Sequence, residues 1–169
     1  MSMSQRALLS LLFTCLISFP PSCSSARSHV LTFPIGQKAQ VGKLIYQVIE
    51  AQWLPELEGA KQSPKNRILQ LRLTVTNSGA EDAAIPFLRL IDAAGNEIVE
   101  VSDIEGNSHW LGALRRLQPS LTEEGSVYFD VPIGAYRLEI VDATEEKVAH
   151  IEIPASLAPP AATPGPTGN

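Results

Sequence analysis

Pro64-Lys65-Asn66-Arg67-Ile68-Leu69-Gln70-Leu71-Arg72-Leu73-Thr74-Val75-Thr76-Asn77-Ser78-Gly79 is the stretch that decides the fold. Leu69, Leu71, Leu73 and Val75 alternate with Gln70, Arg72, Thr74 and Thr76. A period of two sends successive side chains to opposite faces of a strand, so this segment buries one face and solvates the other. Asn77-Ser78-Gly79 then supplies turn residues. A second stretch, Leu117-Gln118-Pro119-Ser120-Leu121-Thr122-Glu123-Glu124-Gly125-Ser126-Val127-Tyr128-Phe129-Asp130-Val131-Pro132, has the same character. Val127, Phe129 and Val131 share a face, and Pro132-Ile133-Gly134 turns the chain.

Outward from these two segments, short strands and turns continue. Val30 to Phe33 is a short strand ended by Pro34 and Gly36. Ala39 to Trp53 is longer, with a turn at Val41-Gly42-Lys43, and its dense apolar residues predict burial on both faces over part of its length. Leu54 to Asn66, with Pro55, Gly59 and Pro64, reads as a loop. Ile85 to Ile91 is a strand with Pro86 at its start, Asp92 to Asn96 a hairpin turn, and Glu97 to Val101 the return. Leu111, Leu114 and Leu117, three apart, predict one helical turn. Tyr136, Leu138 and Ile140 form an inward set against Arg137 and Glu139. Lys147 to Ile153 closes the domain, with Ala149, Ile151 and Ile153 inward and His150 turned to solvent.

About eight short strands without a long amphipathic helix predict an all-β fold. The architecture is an immunoglobulin-like antiparallel β-sandwich over residues 29–153. Residues 154–169, rich in Pro and Ala, read as a disordered tail.

Hydrophobic residues make up 44% of the 169-residue chain, enough for a core that needs neither disulfide nor metal. The formal charge is −5, and no basic stripe exists outside short pairs such as Arg115-Arg116. Nucleic-acid binding draws its affinity from clustered Lys and Arg, so that class of partner is excluded.

The first 26 residues read as a targeting segment. Arg6 is followed by an apolar run from Ala7 to Phe19, too short for a membrane span but suited to a signal-peptide core, and Pro20-Pro21 ends it. Cys23 behind Ser22 resembles the lipobox of bacterial lipoproteins, which implies lipidation at Cys23 and a membrane anchor. Pro20 departs from that pattern, and the alternative is cleavage after Ala26 with Ser24 and Ala26 as the small pair. Either way the chain is expected to be extracytoplasmic. Its two cysteines, Cys15 and Cys23, leave the domain without an internal pair.

Four motifs in order carry a family resemblance. They are Val41-Gly42-Lys43-Leu44-Ile45-Tyr46, Leu69 to Asn77, Asp92-Ala93-Ala94-Gly95, and Leu117 to Ser120 leading into Val127 to Pro132. The chain from Gly36 to Ile153 resembles the secreted bacterial domain of unknown function 4352, whose relatives include the immunoprotective extracellular protein family. Ser120 stands where that family has Gly. The resemblance implies an immunoglobulin-like sandwich and an extracytoplasmic address. It carries over no catalytic residues.

The residues themselves point away from catalysis. Nucleophilic catalysis needs a base held against a nucleophile. His29, His109 and His150 are widely separated, and His109 lacks a Gly-x-Ser-x-Gly elbow. The same scatter argues against zinc. Asp92, Glu97, Asp103 and Glu105 fit turn chemistry better than a calcium loop, and Glu123-Glu124 and Glu145-Glu146 read as solvated turns. No cofactor is expected. Two loops offer recognition anchors: Trp53 with Leu54-Pro55-Glu56-Leu57, and Trp110 with Arg115 and Arg116, against the alternative that both tryptophans cap the core. The expectation is a non-enzymatic binding or accessory module for an envelope or extracellular protein. The alternatives are a protease-inhibitor-like module presenting Leu54 to Pro64, and an enzyme that gathers His109 with a carboxylate.

Overall fold

A computed structural model describes residues 30–113 and 115–157. The described strands are β1 (Leu31–Pro34), β2 (Ala39–Val41), β3 (Leu44–Leu54), β4 (Arg67–Asn77), β5 (Ala83–Ala84), β6 (Arg89–Ile91), β7 (Glu97–Val99), β8 (Arg116–Leu117), β9 (Thr122–Val131), β10 (Tyr136–Val141) and β11 (Val148–Ile153). One sheet has the order β1-β11-β10-β6-β7, the other β2-β3-β4-β9, and β5 and β8 form a small third ribbon.

The alternation in β4 does what the sequence predicts. Leu69, Leu71, Leu73 and Val75 are wholly buried. Leu69 lies opposite Phe129 and Leu71 opposite Val127 on β9. Leu90, Leu138, Ile140 and Ile151 of the facing sheet complete the core. Fully burying side chains of this size contributes about 1.5–3 kcal/mol each.

Four expectations need correction. The sandwich is not wholly antiparallel, because β1 pairs with β11 in parallel, Thr32 beside His150. The chain then changes sheets, and β2 joins the edge of β3. In β3 only one face is buried at a time. Leu44, Tyr46 and Val48 point inward, a bulge follows between Val48 and Glu50, and Ala51 and Trp53 take over the packing. The extra residue resets the period, which is why the apolar positions look continuous in sequence.

Only Arg89–Ile91 of the segment from Ile85 to Ile91 pairs as a strand in the large sheet. Leu117 lies in β8 and Leu111 in an irregular segment against Gly125, so these two do not share a helical turn, and Leu114 lies outside the described residues. Among the described residues no helix is long and apolar enough to cross a membrane.

Candidate functional site

A second apolar layer lies on the outer face of the four-stranded sheet. Ile68 and Tyr128 sit at positions that alternation assigns to solvent, yet both are buried. They pack with Leu57 and Ile104, and with half-buried Leu54, Ala60, Val101 and Trp110. Two loops fold down to make this layer. Ala60 bridges Ile104, and the Glu105 amide donates to the Gly59 carbonyl at 2.8 Å. The Lys65 and Asn66 amides donate to the Asp130 carboxylate at 2.7 and 2.8 Å. Gly59 has φ +81° and lies against the Glu105 backbone, so the crossing needs glycine. The segment from Leu54 to Pro64 is therefore laid along the sheet rather than projected, with Leu57 buried.

This layer also covers the middle of the outer edge of β9, at Ser126 and Tyr128. The Val101 amide donates to the Tyr128 carbonyl at 2.7 Å, the Ser126 amide to the His109 carbonyl at 2.7 Å, and the Leu111 amide to the Ser126 carbonyl at 3.0 Å. Trp110 is bridged to Ser126 and half-buried. His109 stays exposed in its turn, its amide donating to the Asn107 side-chain oxygen.

Arg115 is not a surface anchor, and here the sequence expectation is corrected. Its guanidinium is buried and forms a bidentate pair with the Glu100 carboxylate. It also donates through Nε to the Gly112 carbonyl and lies 5.2 Å from the Phe87 ring centroid. Burial of a guanidinium is tolerated because a planar fork of donors matches a carboxylate. Arg116, the next residue, is exposed. The dipeptide thus divides, one member buried and structural and the other exposed. The missed signal is Glu100, an acid after an apolar strand with no turn role.

His150 is also buried rather than turned to solvent. It lies on the outer face of the five-stranded sheet between Thr32 and Glu139, its register partners. Desolvation, then the nearby Arg137, hold its pKa below the usual histidine value, opposed by Glu139 at 3.8 Å. Glu139 also pairs with Arg89, which reaches Glu145 at 3.1 Å.

The carboxylates of the hairpin and the loop after it are spent locally. Asp92 accepts from the Ala94 and Asn96 amides and the Asn96 side chain, which holds its carboxyl below the usual range. Asp103 and Glu105 pair with Lys61. Among the described residues no three His, Cys, Asp or Glu side chains converge. Cys23 and His29 lie outside the described residues.

Two open grooves flank a ridge formed by Ile35 and Pro154 at the end of the sandwich where β1 and β11 finish. One, of about 640 Å³, runs past Ile91, Ala93, Tyr136 and Ile153. The other, of about 540 Å³, is lined by Ile49, Ala51, Trp53 and Leu157, with Glu50 and Arg72 at its rim. The Trp53 indole packs on the core, and its Nε1, like that of Trp110, is buried with no hydrogen-bond partner among the described residues. The structure thus separates Trp53 from Trp110: one lines an end groove, the other the layer over β9.

Known proteins agree with this architecture. A structure of the yjhA protein from Bacillus subtilis superposes with TM-score 0.59 at 15% identity, over 72% of this chain and 98% of that one. MPT63, a secreted protein from Mycobacterium tuberculosis, superposes with TM-score 0.54 at 14% identity, over 75% and 99%. The ycdA protein of Bacillus subtilis, named as a presumptive lipoprotein, gives 0.56 at 16%, over 70% of this chain and 38% of its own. At these identities the likeness is one of fold. No curated protein sequence matches the chain. Residues 33–148 match the Domain of unknown function (DUF4352), and the chain belongs to that family.

Proposed function

We propose that this DUF4352 chain is a non-enzymatic, extracytoplasmic binding or accessory module whose partner is an envelope or extracellular protein. The observation that carries the reading is the groove of about 540 Å³ lined by Ile49, Ala51, Trp53 and Leu157. Its size falls within the range of roughly 300–1,000 Å³ typical of binding clefts, and its wall is apolar with a few polar groups at the rim. Trp53 supplies the aromatic surface that binding sites favour. The extracytoplasmic address rests on the apolar segment from Ala7 to Phe19 and the small residues after it, with Cys23 as the lipid attachment point. Fold neighbours named as a secreted protein and a presumptive lipoprotein support it.

The test is cross-linking of tagged protein in its native envelope, followed by mass spectrometry. Ile49 is exposed on the groove wall, so Ile49→Asp changes the groove without touching the core. The expected result is one dominant partner, lost in Ile49→Asp and kept in Ile133→Asp, a comparable exposed position outside the groove lining. Turnover of a substrate that disappears with His109→Ala would overturn the non-enzymatic reading.

A further inference from the structure

We infer that the free edge of β3 at Glu50–Leu54 takes an extended peptide from another protein as an added strand; the inference rests on the binding-module reading and specifies its mode. β4 pairs along β3 from Leu44 to Leu54. On the other side β2 pairs only with Leu44, Ile45 and Tyr46, and the Gly36 amide donates to the Val48 carbonyl at 2.9 Å. After the bulge, no described strand pairs with the outer edge of Glu50–Leu54. Such an edge presents a row of unpaired N–H and C=O groups, and an added strand satisfies them.

The other end of the sheet shows how this fold treats an edge it closes. The outer edge of β9 is covered at Ser126 and Tyr128 by backbone bonds with Val101, His109 and Leu111. Among the described residues no backbone bond covers the Glu50–Leu54 edge in this way, and Glu50-Ala51-Gln52-Trp53-Leu54 contains no proline and one charge. The groove runs beside it, with Ile35, Ile49, Trp53, Pro154 and Leu157 placed to receive side chains. At roughly 3.4 Å per residue, this edge suits an added strand of about five residues.

The chemistry selects the occupant. Arg72 is shared between Glu50 at 3.2 Å and Glu124 at 2.7 Å, while Ile35, Ile49, Ala51, Trp53, Pro154 and Leu157 make the lining apolar, so the groove favours apolar side chains at alternate positions. The chain's own residues 158–169 leave from Leu157 but include Pro159, Pro160, Pro164 and Pro166. Proline has no N–H to donate to a ladder, so this segment is a poor added strand and the partner's peptide is the better one.

The experiment pans the purified chain against a displayed library of random seven-residue peptides and repeats binding with synthetic versions of the enriched ones. Enriched peptides alternate apolar with polar residues and bind wild type but not Ile49→Asp. On binding they slow amide exchange at Glu50–Leu54. Methylating an edge-facing peptide nitrogen weakens them about tenfold, the cost of one lost hydrogen bond at the upper end of its range. Absence of enrichment, tolerance of N-methylation, or protection located elsewhere would each overturn strand addition. So would binding seen only in a chain ending at Leu157, which would assign the groove to the tail. A cross-linked partner kept despite such a failure would leave the binding module standing; loss of both would remove both.

Discussion

The Arg115 guanidinium and the Glu100 carboxylate meet in parallel, Nη1 to Oε1 at 2.8 Å and Nη2 to Oε2 at 2.6 Å, with side chains 1% and 0% exposed. Glu100 Oε1 also accepts the Leu88 amide at 2.6 Å, so the pair fastens β6 and β7 to the segment entering β8. Removing one member strands the other charge away from water. Arg115→Met and Glu100→Gln are each expected to cost about 3–5 kcal/mol. The double variant Arg115→Met/Glu100→Leu recovers most of that, less about 1–3 kcal/mol for the orphaned Leu88 amide. Urea unfolding measures all three, and single variants within about 1 kcal/mol of wild type would contradict the account.

Gly59→Ala should open the outer layer. A Cβ there would lie 1.9 Å from the Glu105 carbonyl oxygen, in a backbone at φ +81°. Strain alone costs about 1–3 kcal/mol, and the overlap adds to it. Gly36→Ala is the comparison, since its φ is also positive but nothing lies within 4 Å. Amide exchange should accelerate across 55–66 and 101–111 in Gly59→Ala and stay near wild type there in Gly36→Ala.

Asn77 is fully buried, and both side-chain N–H groups and the side-chain oxygen are hydrogen-bonded. Its side-chain nitrogen donates to the Glu81 and Leu117 carbonyls at 2.7 and 2.9 Å, and its oxygen accepts the Gly79 amide at 2.9 Å. Asn77→Asp keeps the shape but turns a carboxylate on two carbonyls. At neutral pH the loss should be about 3 kcal/mol. The introduced acid prefers its protonated form in the folded chain, so its folded pKa is raised and the defect shrinks as pH falls. Thermal melts at acid and neutral pH check this; a loss independent of pH would rule it out.

His150 gives the wild-type chain its own pH dependence. Desolvation and Arg137 lower its pKa in the folded state, so folded protein binds fewer protons than unfolded. Stability from this residue is present above the unfolded value of about 6.5 and is lost as pH falls through the folded pKa. His150→Gln should flatten that part of the profile. Urea midpoints between about pH 5 and 8 for both proteins decide it, an unchanged slope counting against His150.

The two tryptophans show how far the sequence could be read. That Trp53 and Trp110 belong to different surfaces follows from the bulge after Val48, which turns Trp53 toward the end groove, and from the Ser126 bridge, which lays Trp110 over β9. Neither event has a local signature. Arg115 and Arg116 look alike in sequence, and only the approach of Glu100 across the fold separates them.

Local pattern alone determined the long strands β4, β9, β10 and β11 and their inward faces. Period-two burial is a property of a few consecutive residues, and Leu69 to Val75 state it without reference to anything distant. Tertiary structure decided the parallel pairing of β1, the buried ion pair, the layer over β9 and the open edge of β3. Each depends on residues far apart in the chain meeting in space, and the energies that bring them together belong to pairs rather than to segments.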